Sequence, residues 1–392
     1  MNRSQRILLF AFLSFSVMHY GCGNSVRRIH RDAVLVDTHN DFISKSLANG
    51  FVFDQDNQGK THSDLARMKQ GGVDIQIFSI FGDEKIGYQH ANTEIDTLYA
   101  LIARNPDKMM LVKTPEDLQQ AVKEKKLGAM IGVEGGHMIE NDLSKLEKLY
   151  ERGARYMTLT WNNSTSWASS AADESAGKIP QEQKGLNEFG VEVVRKMYEL
   201  GMMVDLSHVG EQTFVDALSV TSKPVIASHS SVHKIAPVPR NLKDYQITAI
   251  GQNKGVICIN FYSGFIDSNF NARNKQVLEN HRSEIDSLKK TGMSMFSIED
   301  LLFEKYPKEV EGLRPPLSLL IDHIDYIVKR IGIDHVGLGS DFDGITSAPA
   351  GLDAVTDFPR ITKALKKRGY SKTDIKKILG ENLIRVFTEN SN

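Results

Sequence analysis

The stretch "VDTHNDF", Val36 to Phe42, closes an apolar run with Asp37, His39 and Asp41 at every second position. In an extended strand, residues two apart share a face and lie roughly 6–7 Å apart, so His39 and Asp41 can reach toward one point. Buried charge is costly unless paired or coordinated, and a metal cation suits imidazole and carboxylate together. A turn in which Asp and Asn cap the backbone would use the same residues without any chemistry. Groups of the same kind elsewhere weigh on that choice: Glu134 follows "GAMIGV", His208 follows "MMVDL", His229 follows "PVIAS" and Asp341 follows "HVGLGS". One histidine at a strand end is ordinarily a core or capping residue. Three histidines and three carboxylates at the ends of β-rich runs favour a metal site.

A carboxylate has two oxygens and can bridge two cations. Glu134 can therefore join a site built on His39 and Asp41 to another built on His208 and His229. Two ions roughly 3.5–4 Å apart can hold a hydroxide between them, since each lowers the pKa of the shared water. Asp341, left over from the ligand count, can take the proton.

These residues need elements that bring them to one place. Eight short β-rich runs recur, at 33–37, 73–80, 128–133, 155–160, 202–206, 224–228, 255–260 and 335–340. Between them lie amphipathic segments such as 92–104, 141–152, 186–200 and 317–331. Continuous apolar strands alternating with helices imply a parallel sheet covered on both faces, and eight of them imply a single (β/α)8 TIM-like barrel. In that architecture the C-terminal strand ends converge over the mouth, which is where the six residues fall. The longest gap, between strands seven and eight, holds the charged stretch 271–312. It reads either as a helical insertion at the mouth or as a crossover helix with a long loop. Asp37 either orients a ligand histidine from behind or caps the strand. Asp343 reads as a turn residue, and His137, His233, His323 and His335 as loop, helix or strand-start residues.

Composition sets the remaining limits. Of 392 residues, 41% are apolar and 25% charged, the proportions of an ordinary folded protein. Arg3 and Arg6 precede an apolar run from Ile7 to Met18, and Gly21, Cys22 and Gly23 follow, the layout of a secretory signal over residues 1–21. The run is too short for a bilayer span, which needs about 20 residues. "HYGC" resembles a bacterial lipobox, with His19 in place of the usual aliphatic residue. The expected product is an exported periplasmic or cell-envelope lipoprotein of a bacterium, anchored through a lipidated Cys22, with residues 22–392 as one domain. Cys258 then remains alone, reads as core and can form no intramolecular disulfide. Removing residues 1–21 takes two of the 48 basic side chains and none of the 49 acidic ones, moving the net charge from −1 to about −3. That balance gives no broad attraction to nucleic acid.

At these residues the sequence resembles the membrane dipeptidase (renal dipeptidase) family of zinc peptidases, within the metal-dependent amidohydrolase barrels. The matching blocks are "DTHND", "GVEGGH", "RYMTLT", "DLSHVG", "ASHSS", "PRN", "NFY" and "GLGSDFDG". They run in the family's order from about residue 33 to 358 and are specific in combination. The resemblance implies two zinc ions, one on His39 and Asp41 and one on His208 and His229, bridged by Glu134. It implies that Asp341 serves the bridging water as proton acceptor and donor, and that Arg240 grips the free carboxylate of a dipeptide. Tyr262 would add a hydrogen bond there. Partners would be small dipeptides, including those with a C-terminal D-residue, with a homodimer as a further expectation. One departure stands out: the family has His after "TLT", where this chain has Trp161. Trp donates only through its indole N–H. Asn162 or Asn163 could substitute for that histidine, and Trp161 is expected to shape the substrate pocket. The rival functions are a binuclear amidohydrolase acting on another amide, a lactone or an ester, and a lipoprotein that binds peptides without cutting them.

Overall fold

A computed structural model describes residues 26–293 and 295–391, so the signal segment and Cys22 lie outside the described residues. Nine parallel strands form among the described residues: β1 (Val36–Asn40), β2 (Ile75–Phe81), β3 (Met109–Leu111), β4 (Leu127–Glu134), β5 (Ala154–Thr158), β6 (Met203–Asp205), β7 (Ile226–Ala227), β8 (Val256–Ile259) and β9 (Val336–Leu338). β2 pairs with β4 as well as with β1, and β1 pairs with β9, so eight strands close into a ring. This is the eight-stranded barrel that the alternation of strands and helices implies. The ninth strand, β3, was not expected. Gly128 pairs with Ile75 on one edge and Met110 on the other, while β5 joins β4 only from Ile131 onward. β3 therefore fills the lower half of an edge whose upper half β5 occupies. Its three residues are too few to show any periodicity.

The first strand also differs. Residues 33–37 were expected to form it, because apolar character ends at Asp37. It runs instead through His39 to Asn40, all buried. Polar residues can continue a strand when their side chains are satisfied. Asp37 accepts hydrogen bonds from the Ser340 N–H (2.8 Å) and hydroxyl (2.6 Å), and the Thr38 hydroxyl donates to the Leu338 carbonyl (3.0 Å). Asp37 thus staples β1 to the end of β9 and touches no ligand histidine.

Side chains on the inner face of the ring, among them Val36, Ile75, Met130, Tyr156, Met203 and Cys258, pack on Leu383, Val386 and Phe387 of the helix Asn382–Asn390. That helix closes the barrel floor. Burial pushes the Cys258 thiol up to about 12, so it remains an inert core residue. The outer faces of the strands pack against the surrounding helices in a second, larger core. The 271–312 stretch lies in a helical insertion between β8 and β9, comprising Ser263–Ile266, Phe270–Asn280, Arg282–Lys289, Met295–Lys305 and Pro307–Glu311. Lys45 and Asp300, 3.8 Å apart, join it to the helix Phe42–Asn49 that follows β1.

The helix Leu317–Ile331 carries the buried His323, which reads in sequence only as a helix residue. Its Nδ1 accepts the Val232 N–H (3.0 Å) and its Nε2 donates to the Ile266 carbonyl (2.9 Å). One neutral imidazole therefore ties the segments after β7 and β8 to a single helix, and burial lowers its pKa to about 4.

Candidate active site

A bulge in β1 aims the first histidine. Asp37 lies opposite Gln76 and Asn40 opposite Phe78, so three steps on β1 match two on β2. The extra residue shifts the alternation, as bulges beside active sites do. Asp41 precedes the helix Phe42–Asn49 without giving it a side-chain hydrogen bond, so its carboxylate is not spent as a cap. His39 Nε2 lies 3.6 Å from Asp41 Oδ2, 3.4 Å from Glu134 Oε2 and 3.9 Å from Asp341 Oδ1. His208 Nε2 is 2.9 Å and His229 Nε2 3.4 Å from Glu134 Oε1, and these two nitrogens are 2.9 Å apart. The structure thus gathers all six strand-end residues into one buried cluster around Glu134. Two overlapping groups within it, His39 with Glu134 and His229, and His39 with Asp41 and Asp341, could each hold a metal ion.

Behind the histidines stands a set of partners that sequence reasoning missed. His39 Nδ1 meets the Tyr156 hydroxyl (2.9 Å), and His229 Nδ1 meets the Ser228 hydroxyl (2.8 Å), which donates to buried Asp205 (2.6 Å). His208 Nδ1 meets the side-chain amide oxygen of Asn162 (3.1 Å), so Asn162, considered from sequence as a substitute for the family histidine, holds a cluster histidine through its oxygen. The Asn163 amide donates to the Ser164 carbonyl at 3.5 Å. Tyr, Ser and Asp within or next to strands look like ordinary β-sheet residues. Only the alternation of "RYMTLT", which puts Tyr156 and Thr158 on one face, could have singled out Tyr156.

The backbone is strained where the chemistry is. His208 (φ 65°) and Asp341 (φ 61°) both adopt the left-handed conformation that costs a side-chain-bearing residue on the order of 1–3 kcal/mol. Asp341 is held there by its own N–H bonding the His39 carbonyl (3.1 Å), while Asn260 donates to its Oδ2 (2.8 Å). Asp343 (φ 71°) is a turn residue whose carboxylate takes the His62 N–H (2.6 Å) and bonds the Ser63 hydroxyl.

The cluster divides its charges sharply. Burial raises the Asp41 and Asp341 carboxyls, with Glu134 adding repulsion. Burial also opposes ionisation of Glu134, but the charge of His39 and the contacts from His208 and His229 hold it well below the usual carboxylate range. Burial works against protonated His39 as well, yet Glu134, Asp41 and Asp341 bring it to about 10. Burial, with Arg240 nearby, lowers His208 to about 4, and burial with the charge of His39 holds His229 well below the usual imidazole range.

The donor set fits a cation. With each Nδ1 facing its own partner, three Nε2 atoms converge on one carboxylate, and two of them approach each other at hydrogen-bond distance. His39 Nε2 and Asp41 Oδ1 are buried without a hydrogen-bond partner. Converging lone pairs repel unless a positive charge lies between them, and imidazole nitrogen with carboxylate oxygen is a donor set that divalent metals take.

Beside the cluster a cleft of about 260 Å³ is lined by His208, Leu206, His233 and Arg240, among others. The Arg240 guanidinium lies 5.4 Å over the Phe265 ring, with Nη1 3.5 Å from the Ser230 hydroxyl and Nη2 3.3 Å from the His229 carbonyl. Its Nε is buried without a partner, and burial lowers the group to about 10. The Tyr262 ring packs edge-on against Phe265 (5.0 Å) and Phe270 (5.7 Å), so Phe265 contacts both Tyr262 and Arg240. Trp161, half-buried just past β5, meets Phe81 edge-on at 5.0 Å.

The family described as "Membrane dipeptidase (Peptidase family M19)" matches residues 24–392. An uncharacterised dipeptidase of Schizosaccharomyces pombe is 34% identical over 382 residues, covering 92% of this chain and 81% of that protein. Among solved structures, the probable dipeptidase PvdM of Pseudomonas aeruginosa superposes with a TM-score of 0.77 at 23% identity, covering 95% of this chain and 98% of that one. A metallopeptidase of Rhodobacter sphaeroides, bound to a phosphinate mimic of the dipeptide L-Ala-D-Ala, gives a TM-score of 0.74 at 23% identity over 91% of this chain and 99% of that one. The last two agree on the barrel. The chain belongs to the membrane dipeptidase family, peptidase family M19, and its chemistry is that family's metal-dependent peptide hydrolysis.

Proposed function

We propose that this chain hydrolyses dipeptides with two zinc ions, one on the His39 and Asp41 side of Glu134 and one on the His208 and His229 side. The observation that carries this reading is the convergence of three Nε2 atoms on the two oxygens of Glu134. When bound, the ions supply an acidified water and a Lewis acid for the scissile carbonyl. Everything else comes from the protein. Asp341, raised by burial and steadied by Asn260, accepts the proton of the attacking water and delivers it to the leaving amine. Arg240 takes the substrate's free carboxylate with a fork made of Nε–H, which has no partner in the protein, and a remaining Nη N–H. A guanidinium fork matches a carboxylate bidentately, so a chain longer than two residues, whose carboxylate lies farther from the scissile bond, would miss it. Trp161 and Phe81 form an apolar wall at the rim, and Tyr262 supports the Arg240 side through Phe265. D-residues at the C-terminal position are accepted, as the fold relative holding an L-Ala-D-Ala mimic suggests. The protein is exported and held at a bacterial envelope by a lipid on Cys22.

Elemental analysis of purified protein, followed by a panel of L-Ala-L-Ala, L-Ala-D-Ala, its C-terminal amide, a tripeptide and a lactone, tests the proposal. About two zinc ions per chain and cleavage of the two free-acid dipeptides alone are expected. Glu134→Gln should lose both metal and cleavage, and Cys22→Ser should lose palmitate incorporation in cells. Protein without stoichiometric metal, or full cleavage by Glu134→Gln, would overturn the catalytic reading. Preferential cleavage of the lactone would move the chain to the wider amidohydrolase chemistry.

A further inference from the structure

Tyr156 crosses the barrel interior to reach a histidine of the cluster, and the structure is built to let it through. A Cβ placed on Gly132, the neighbour of Tyr156 in the β4–β5 pairing, would lie 2.0 Å from the Tyr156 ring carbon that bears the hydroxyl. The ring occupies the space that any other residue at 132 would fill. Its hydroxyl then lies 2.9 Å from His39 Nδ1 and 3.1 Å from the Thr38 carbonyl oxygen, on the same bulged strand.

One phenol has one proton, and a carbonyl oxygen can only accept. The arrangement in which every group is satisfied has the Tyr156 hydroxyl donating to the Thr38 carbonyl and accepting from His39 Nδ1–H. Nε2 is thereby left as the open lone pair, and it is Nε2 that faces Asp41, Glu134 and Asp341. Tyr156 is wholly buried, so no water competes for its hydroxyl. His208 and His229 take their Nδ1 partners from the amide of Asn162 and from Ser228 backed by Asp205. His39, the histidine common to both candidate groups, rests on this phenol.

We propose that Tyr156 is a positioning residue for metal uptake: together with Gly132 it fixes the rotation and tautomer of His39 so that Nε2 is presented to the cation. Partners behind a metal-bound histidine typically contribute 10–100-fold in metal affinity. The inference rests on the metal-site reading above.

The test compares wild type with Tyr156→Phe, which keeps the ring and removes only the oxygen. Zn2+ affinity is read by competition with a chromophoric chelator, and folding by circular dichroism and the melting temperature of the metal-free proteins. A fall of about 10–100-fold in affinity for at least one ion, with the metal-free melting temperature nearly unchanged, is expected. Equal affinity in the two proteins overturns the proposal. If Tyr156→Phe fails to fold, long-range 1H–15N spectra of zinc-loaded wild type decide the matter, with His39 identified by its loss in His39→Gln. Protonation of His39 at Nδ1 supports the inference, and metal on Nδ1 with a proton on Nε2 overturns it. Wild-type protein that binds no Zn2+ defeats the parent reading instead, and so is told apart from failure of the role of Tyr156.

Discussion

At Trp161 the chain departs from its family at a position next to the chemistry. Where the resemblance leads one to expect a histidine, an indole packs edge-on against Phe81. The polar residue that follows, Asn162, holds His208 Nδ1 through its side-chain oxygen, which orients the amide and leaves its NH2 group as a donor. We propose that Trp161, packed against Phe81, acts through shape. Trp161→Ala should raise KM for dipeptides with bulky side chains about tenfold, the scale of one apolar pocket contact, while leaving zinc content intact. Steady-state kinetics with metal analysis checks this, and unchanged kinetics on every dipeptide would remove Trp161 from the pocket. The six cluster residues could be picked out from sequence because each is a metal-binding type placed where a strand ends. Tyr156, Ser228 and Asp205 could not, because hydroxyl and carboxyl groups inside a sheet show their purpose only once the facing histidine is in place.

Among the elements, the helix Leu317–Ile331 has the clearest pH dependence. His323 is neutral when folded, with a pKa of about 4 against 6.5 when exposed, because burial disfavours the cation. The unfolded chain therefore binds the extra proton first as pH falls below 6.5. Stability from this group is complete above 6.5 and is lost at up to about 1.4 kcal/mol per pH unit between 6.5 and 4. His323→Gln should be less stable at pH 8, where two backbone bonds are weakened, but should show a shallower loss over that window. Urea unfolding of both proteins at pH 4.5, 5.5, 6.5 and 8 measures the difference, and parallel curves would contradict it. The helix itself was readable to the residue, since 317–331 has apolar positions at helical spacing. The strands were found but their limits were not: β7 has two residues where five were expected, and β1 is displaced toward polar positions that become comfortable only when Ser340 and Leu338 are beside them.

For the molecule as a whole, the barrel floor depends on its last helix. Leu383, Val386 and Phe387 are 3%, 0% and 1% exposed, and full burial of three such side chains contributes roughly 5–9 kcal/mol. That is comparable to the entire stability of a typical domain, about 5–15 kcal/mol. Deleting residues 382–392 should therefore give a chain with no cooperative thermal transition and with exposed apolar surface that binds a hydrophobic dye. A sharp melt within a few degrees of wild type would show the floor to be dispensable. Sequence placed the barrel and left 271–312 open between a mouth insertion and a crossover helix with a long loop, but nothing in "NLIRVFTEN" distinguishes a plug beneath a barrel from any other amphipathic helix.

The bond between Asp37 and Ser340 spans 303 residues of chain. Without β9 the ring would have a bare edge at β1, and His39 on that edge would have no Asp341 to face. Closing the ring sets Asp341, the proton carrier of the proposed reaction, against ligands that come from the other end of the chain, so the reaction centre is remote in sequence and adjacent in the barrel.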